Sequence, residues 1–137
     1  MTAEKSLNFK LILTLSLFGL AMGLATIWLI PSKIEPAFWL AIFLACAVII
    51  ARKVTSKHFL HGFSVSLANC FWITSAHIAF YRAYLASHPE EAELLKSMPM
   101  PDAPRLMMAM TGPVIGIISG LVLGGLAFAA SKLVKQN

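Results

Sequence analysis

The chain has 137 residues, of which 58% are hydrophobic and only 12% charged, with a formal net charge of +5 and a mean hydropathy of +0.79. That balance excludes an ordinary soluble domain, which could not bury so many long apolar runs, and reads as one integral membrane domain over residues 1–137. Net positive charge in a soluble protein would raise nucleic acid as a partner, but here the basic residues stand at the ends of apolar segments, where they set topology, so membrane lipids and no nucleic acid are expected.

Four spans are predicted, at about 11–30, 36–51, 62–85 and 106–130. The first, Leu11 to Ile30, is an apolar run ending before Pro31. It follows Lys5 and Lys10 as a signal peptide would, yet it exceeds a usual signal core and no small-x-small pair stands before Pro31. Retention as an anchor is expected. Its small face carries Gly19 and Gly23, with Ala21 and Ala25 nearby. The second, Pro36 to Ala51, is short: 16 residues rise ~24 Å against a hydrocarbon core of ~30 Å. Extension toward Ser32 and Thr55, with Lys53 reaching up to the interface, closes the gap; a re-entrant or interfacial helix is the alternative.

The third span, Gly62 to Leu85, is the most polar. Ser66, Cys70, Thr74, His77 and Tyr81 are spaced by four, four, three and four, so they line one helical face, with Asn69 beside it. Polar groups inside a membrane face protein or water, and an ionisable one raises a functional hypothesis. His77 can relay a proton or touch a polar ligand with Tyr81 as its hydrogen-bond partner. The competing reading has each member bonded to a neighbouring helix or to a carbonyl four residues back.

Beyond it, Ser87, His88, Pro89 and Glu90 predict the start of a short extramembrane helix running to about Lys96. Ser87 is its expected cap, Glu90 holds the capping-box position, and Leu94 and Leu95 are expected to face the membrane. Glu90, Glu91 and Glu93 suit the positive end of that helix, or invite a cation or a basic partner. Pro99, Pro101 and Pro104 then predict a stiff turn.

The fourth span, Leu106 to Ala130, carries a glycine at every fourth residue: Gly112, Gly116, Gly120 and Gly124. Such a stripe lets another helix approach closely, which matters in lipid because no hydrophobic force drives helices together there. The expected fold is all-α: an integral membrane four-helix bundle, with the Gly19 and Gly23 face packed on this stripe and the short helix between the third and fourth spans. A second copy of the chain is an alternative or additional occupant of the stripe.

Charge agrees with one orientation. The N-terminal segment, the second loop and the C-terminal tail hold seven basic residues against Glu4 alone; the opposite side holds Lys33, Arg82, Lys96 and Arg105 against five acidic residues. The positive-inside rule reads this as both termini cytoplasmic.

Neither metal, cofactor nor catalytic residue is expected. His58 and His61 are three apart, but two ligands do not make a zinc site. Met98, Met100, Met107, Met108 and Met110 cluster near one surface, and thioethers suit cuprous copper, yet three of them simply begin an apolar helix. Cys46 and Cys70 fall near mid-membrane and are expected as free thiols. The chain carries no nucleotide loop, no paired intramembrane carboxylates and no nucleophile motif.

In the stretch from His61-Gly62 through Tyr81, Tyr84 and His88-Pro89-Glu90, and in the glycine-rich last span ending at Lys132 and Lys135, the chain resembles the small bacterial membrane proteins of the domain-of-unknown-function family numbered 4199. The resemblance covers about half the chain and implies about four spans in a bacterial inner membrane; it implies no activity. The four short spans are also similar to those of small multidrug transporters, but the first span lacks the carboxylate on which they depend. Two functions are therefore carried forward. One is a non-enzymatic membrane protein that assembles with itself or a partner through the glycine stripe. The other is a small transporter or ligand-binding membrane protein using the stripe from Ser66 to Tyr81.

Overall fold

The computed structural model describes residues 6–135, so the charges of Glu4 and Lys5 lie outside the described residues. The fold is all-α, with six helices among the described residues: α1 (Phe9–Trp28), α2 (Glu35–Lys53), α3 (His58–Ala79), α4 (Tyr81–Ser87), α5 (Pro89–Lys96) and α6 (Pro104–Leu133). Three of them, α1, α2 and α6, are each long and apolar enough to cross a membrane, and α3 with α4 qualifies as a fourth if the bent pair is one broken span.

Local chemistry sets the helix ends. The Asn8 side chain accepts the Leu11 N–H at 3.0 Å and caps α1. Pro36 sits in the first turn of α2, where its missing N–H costs nothing, and Glu35 at the start and Arg52 and Lys53 at the end suit the helix dipole. At 19 residues α2 rises about 28 Å, so the shortfall expected for the second span is closed by extension at both ends. Lys57, at φ 56°, takes the left-handed conformation that turns the chain sharply from α2 into α3.

α3 is the central helix. It packs most extensively on α6 and next on α1, while α2 rests chiefly on α6. The glycine faces show how. A β-carbon at Gly116 would lie 2.7 Å from Cys70 Cβ, and one at Gly124 would lie 2.8 Å from the Phe59 carbonyl oxygen, so the α6 stripe is closed by α3 of the same chain. Gly19 meets Asn69, and Gly23 meets Ile73 and Ala76, on a neighbouring face of α3. The expected pairing of the Gly19 and Gly23 face with the α6 stripe is therefore corrected: α3 stands between the two, and each small face receives a different face of it. α3 carries a glycine of its own, Gly62, which meets the α6 backbone at Leu123 and Gly124 and brings the two helices into close approach. Cys46, Ala47, Ile50, Val65, Leu123 and Ala127 join Ile12 and Leu15 in the main core.

The residues expected for the third span do not form one straight helix. Sequence periodicity predicts one helix to Leu85, but α3 ends at Ala79 and α4 leaves it at 92°. No proline or glycine stands at the break. Phe80 makes an edge-on contact with Trp28 at 5.3 Å, and Ser87 Oγ donates to the Ile27 carbonyl at 2.5 Å, so α4 is folded across the C-terminal end of α1. That bond supplies a partner for one of the last carbonyls of α1. It also removes Ser87 from its expected role: His88 is the N-cap residue of α5 and makes no side-chain capping bond. α5 buries no residue and carries the Lys96–Glu93 ion pair at 2.8 Å. α6 runs 30 residues, about 45 Å, well beyond the apolar core of a bilayer.

Candidate functional site

The residues of the polar stripe all sit on or next to α3, but the structure divides them among three places. Ser66, Cys70 and Thr74 face α6. Ser66 Oγ donates to the Gly116 carbonyl at 3.4 Å, Cys70 Sγ donates to the Gly112 carbonyl at 2.7 Å, and Thr74 packs on Gly112. Hydrogen bonds between membrane helices contribute about 0.6 kcal/mol each, so close packing along the glycines outweighs them in holding α3 to α6.

Asn69 and His77 face α1. Asn69 is only 2% exposed, pressed against Gly19, and neither atom of its amide has a hydrogen-bond partner among the described residues. Nearby, Trp72 Nε1 donates to Ser16 Oγ at 3.1 Å. His77 Nε2 lies 2.9 Å from Thr26 Oγ1, whose own proton points to the Met22 carbonyl at 2.8 Å. A hydroxyl has one proton, so Thr26 accepts and the proton of neutral His77 is assigned to Nε2.

Tyr81 goes elsewhere. It is not the partner of His77: the break at Phe80 swings it outward, where the Arg105 guanidinium lies 4.2 Å over its ring. Tyr84 takes the place expected for Tyr81. Its ring stacks on His77 at 3.9 Å and on His88 at 4.3 Å, giving a His–Tyr–His column inside the bend. His88 Nδ1 donates to the Tyr84 carbonyl at 2.9 Å, leaving Nε2 buried and without a partner among the described residues. In a straight helix His77 and Tyr84 would be about 10 Å apart along the axis, too far to stack. Sequence reasoning missed Tyr84 and His88 as site residues for that reason, and Thr26 because it lies on α1, far from His77 in sequence. The one signal available for Tyr84 and His88 was a helical face shared with His77 at seven- and four-residue spacing, which says nothing about a bend.

His58 and His61 do not converge. His58 Nε2 meets the Val54 carbonyl at 3.0 Å, and His61 accepts the Asn8 N–H at 3.0 Å while Nδ1 meets the Lys57 carbonyl at 2.8 Å. Among the described residues no group of three or more His, Cys, Asp or Glu side chains could hold a metal ion. Cys46 and Cys70 are free thiols. Gly19 and Gly23, with Gly112, Gly116, Gly120 and Gly124, are the helix-packing residues, all against α3.

Two clefts of about 280 Å³ each border α6, one beside α4 and the other beside α3. Tyr81, Asp102 and Arg105 line one; Leu67, Cys70, Phe71, Thr74, Ser75, Ala109 and Pro113 line the other, so two residues of the stripe border a cleft while His77 lines neither. No family model, no curated protein and no solved structure matches the chain. The geometry alone therefore describes a helical protein with candidate membrane spans, in which Ser66, Cys70, Trp72 and His77 of the central helix hydrogen-bond to other helices.

Proposed function

We propose that the chain is a non-enzymatic multi-pass membrane protein that works by binding within the bilayer, assembling with itself or with a membrane partner, rather than by passing a solute through its interior. One observation carries this reading: Ser66, Cys70 and His77 hydrogen-bond to α6 or α1, and Thr74 packs on Gly112. Although Cys70 and Thr74 border one open cleft, Ser66 and His77 line neither, so neither cleft follows the stripe into the interior. The glycine stripe is occupied by α3, so assembly in this reading uses the outward faces of α2 and α6, where Leu40, Leu44, Ile118 and Val122 are exposed. The charge bias supports a cytoplasmic placement of both termini. The resemblance to family 4199 adds a bacterial inner membrane to the proposal; the site residues owe nothing to it.

Asn69 favours a second reading, a small transporter or ligand-binding protein, because an amide buried with neither atom partnered is costly unless something meets it. The native thiol of Cys70 separates the two. A charged, membrane-impermeant maleimide is applied to the chain in nanodiscs, and modification is mapped by peptide mass. The binding reading expects Cys70 to stay unmodified while an exposed control cysteine reacts to completion. Rapid modification of Cys70 would sink it and establish a water-accessible path along the stripe.

A further inference from the structure

One cleft is lined by Tyr81 of α4 and by residues 102–106 leading into α6, and the other, further along α6, lies between α6 and α3. Arg105, Ala109 and Pro113 are spaced by four and share one face of α6. On α3 the facing line runs Ile78, Ser75, Phe71 and Leu67. This line covers about 16 Å, close to half the ~30 Å hydrocarbon core and so to one leaflet. Its upper end is charged, and its lower end is mostly apolar, with Cys70, Thr74 and Ser75 as the polar members of its lining.

At the charged end Arg105 is held from two sides. Its Nε donates to the Ile78 carbonyl at 3.3 Å, and its guanidinium lies 4.2 Å over the Tyr81 ring. The terminal N–H groups of the guanidinium make no hydrogen bond among the described residues, and Arg105 lines the cleft. Asp102 lines the same cleft, yet Asp102 and Arg105 form no ion pair; among the described residues the ion pair is Lys96–Glu93. A positive and a negative group thus stand apart in one cleft, above a mostly apolar groove. A planar guanidinium fixed in this way suits a phosphate, which it can meet through two parallel hydrogen bonds. A carboxylate beside it suits an ammonium.

We propose that these two clefts hold one zwitterionic aminophospholipid, with its phosphate on Arg105, its headgroup ammonium on Asp102 and an acyl chain in the groove leading to Pro113. The site rests on the chain acting through its lipid-facing surface. Reaction of Cys70 and loss of lipid selectivity are separate outcomes, so the two proposals fail independently.

The test counts lipids retained by the full chain. The protein, purified in mild detergent, is loaded from vesicles of phosphatidylethanolamine, phosphatidylglycerol or phosphate-free diacylglycerol, and bound lipid is read by native mass spectrometry. We expect one phosphatidylethanolamine per chain, retained at least tenfold over diacylglycerol and at least threefold over phosphatidylglycerol. Arg105→Ala lowers that retention about tenfold. Ala109→Trp does the same by filling the groove from an exposed position without changing charge, whereas Ile118→Trp, exposed elsewhere on α6, leaves it intact. Equal retention of phosphatidylethanolamine and diacylglycerol by the unaltered protein overturns the proposal whatever the variants do. Equal retention of phosphatidylglycerol removes Asp102 from the site. Displacement of the lipid by an equal concentration of water-soluble glycerophosphoethanolamine removes the groove.

Discussion

Gly62 and Gly125 are chemically the same residue in helices of the same fold, and they carry opposite constraints. A β-carbon at Gly62 would stand 2.7 Å from the Leu123 carbonyl oxygen and 2.9 Å from the Gly124 backbone, while one at Gly125 meets nothing within 4 Å. Backbone cannot swing aside as a side-chain tip can, so Gly62→Ala must push α3 and α6 apart. Overpacking of this kind costs about 1–3 kcal/mol. Gly125→Ala gains helix propensity with no steric charge against it, a favourable change of up to about 1 kcal/mol. Thermal unfolding in one detergent, followed by helical circular dichroism, should give a clear fall in Tm for the first and an unchanged or raised Tm for the second. Equal behaviour would mean that the close approach of α3 and α6 is not a feature of the folded protein. The spacing of the stripe glycines was legible in the sequence; that isolated Gly62 is the partner of the α6 backbone was not, because a single glycine has no periodicity.

At the scale of elements, the bend between α3 and α4 is the feature least expected from local sequence. Nothing in residues 76–84 breaks a helix by its own conformational preference. The break is instead held by contacts distant in sequence: Thr26 on His77, Trp28 on Phe80 and Ser87 on the Ile27 carbonyl. The His77–Tyr84–His88 column fills the inside of the bend. Aromatic pairs contribute about 0.5–1.5 kcal/mol each beyond the area they bury, so removing the middle ring loses about 1–3 kcal/mol over two contacts. Amide hydrogen exchange in the Tyr84→Ala protein should therefore speed up by about tenfold to a hundredfold across 81–88, with the interior of α6 unchanged. Unchanged protection in α4 would show that the column follows the bend rather than holding it. The same tertiary contacts explain the displaced cap of α5, since a serine hydroxyl donating to α1 leaves the helix start that local sequence assigned to it.

At the scale of the molecule, the number of crossings decides where the loops lie. α1, α2 and α6 are each long and apolar enough to cross, whereas α3 qualifies as a span only together with the bent α4. An α3 that crosses puts the α2–α3 turn and the α5 connection on opposite sides of the membrane; an α3 that returns puts them on the same side. The charge bias favours a crossing, because it gathers Arg52, Lys53 and Lys57 with Lys132 and Lys135. Single cysteines introduced as Lys57→Cys and Glu91→Cys in sealed inverted vesicles read this directly with an impermeant thiol reagent. Labelling of Lys57→Cys alone is expected. Labelling of both without permeabilisation would make the third helix re-entrant and reverse the placement of one terminus.

Hydropathy by itself determined that the chain is all-α and carries several helices suited to a membrane, because each run of apolar residues is a local property that survives any arrangement of its neighbours. The four-residue spacing of Gly112, Gly116, Gly120 and Gly124 was likewise enough to say that another helix would approach that face closely. Only the tertiary structure decided which helix it would be. Small faces on α1 and α6 are equally permissive in sequence, and α3, whose Gly62 meets α6 and whose Asn69, Ile73 and Ala76 meet α1, is the element able to fill both. The identity of the polar cluster was decided the same way: a 92° bend exchanged Tyr81 for Tyr84 beside His77, and a bend held by long-range contacts leaves no mark in the periodicity of the residues that make it.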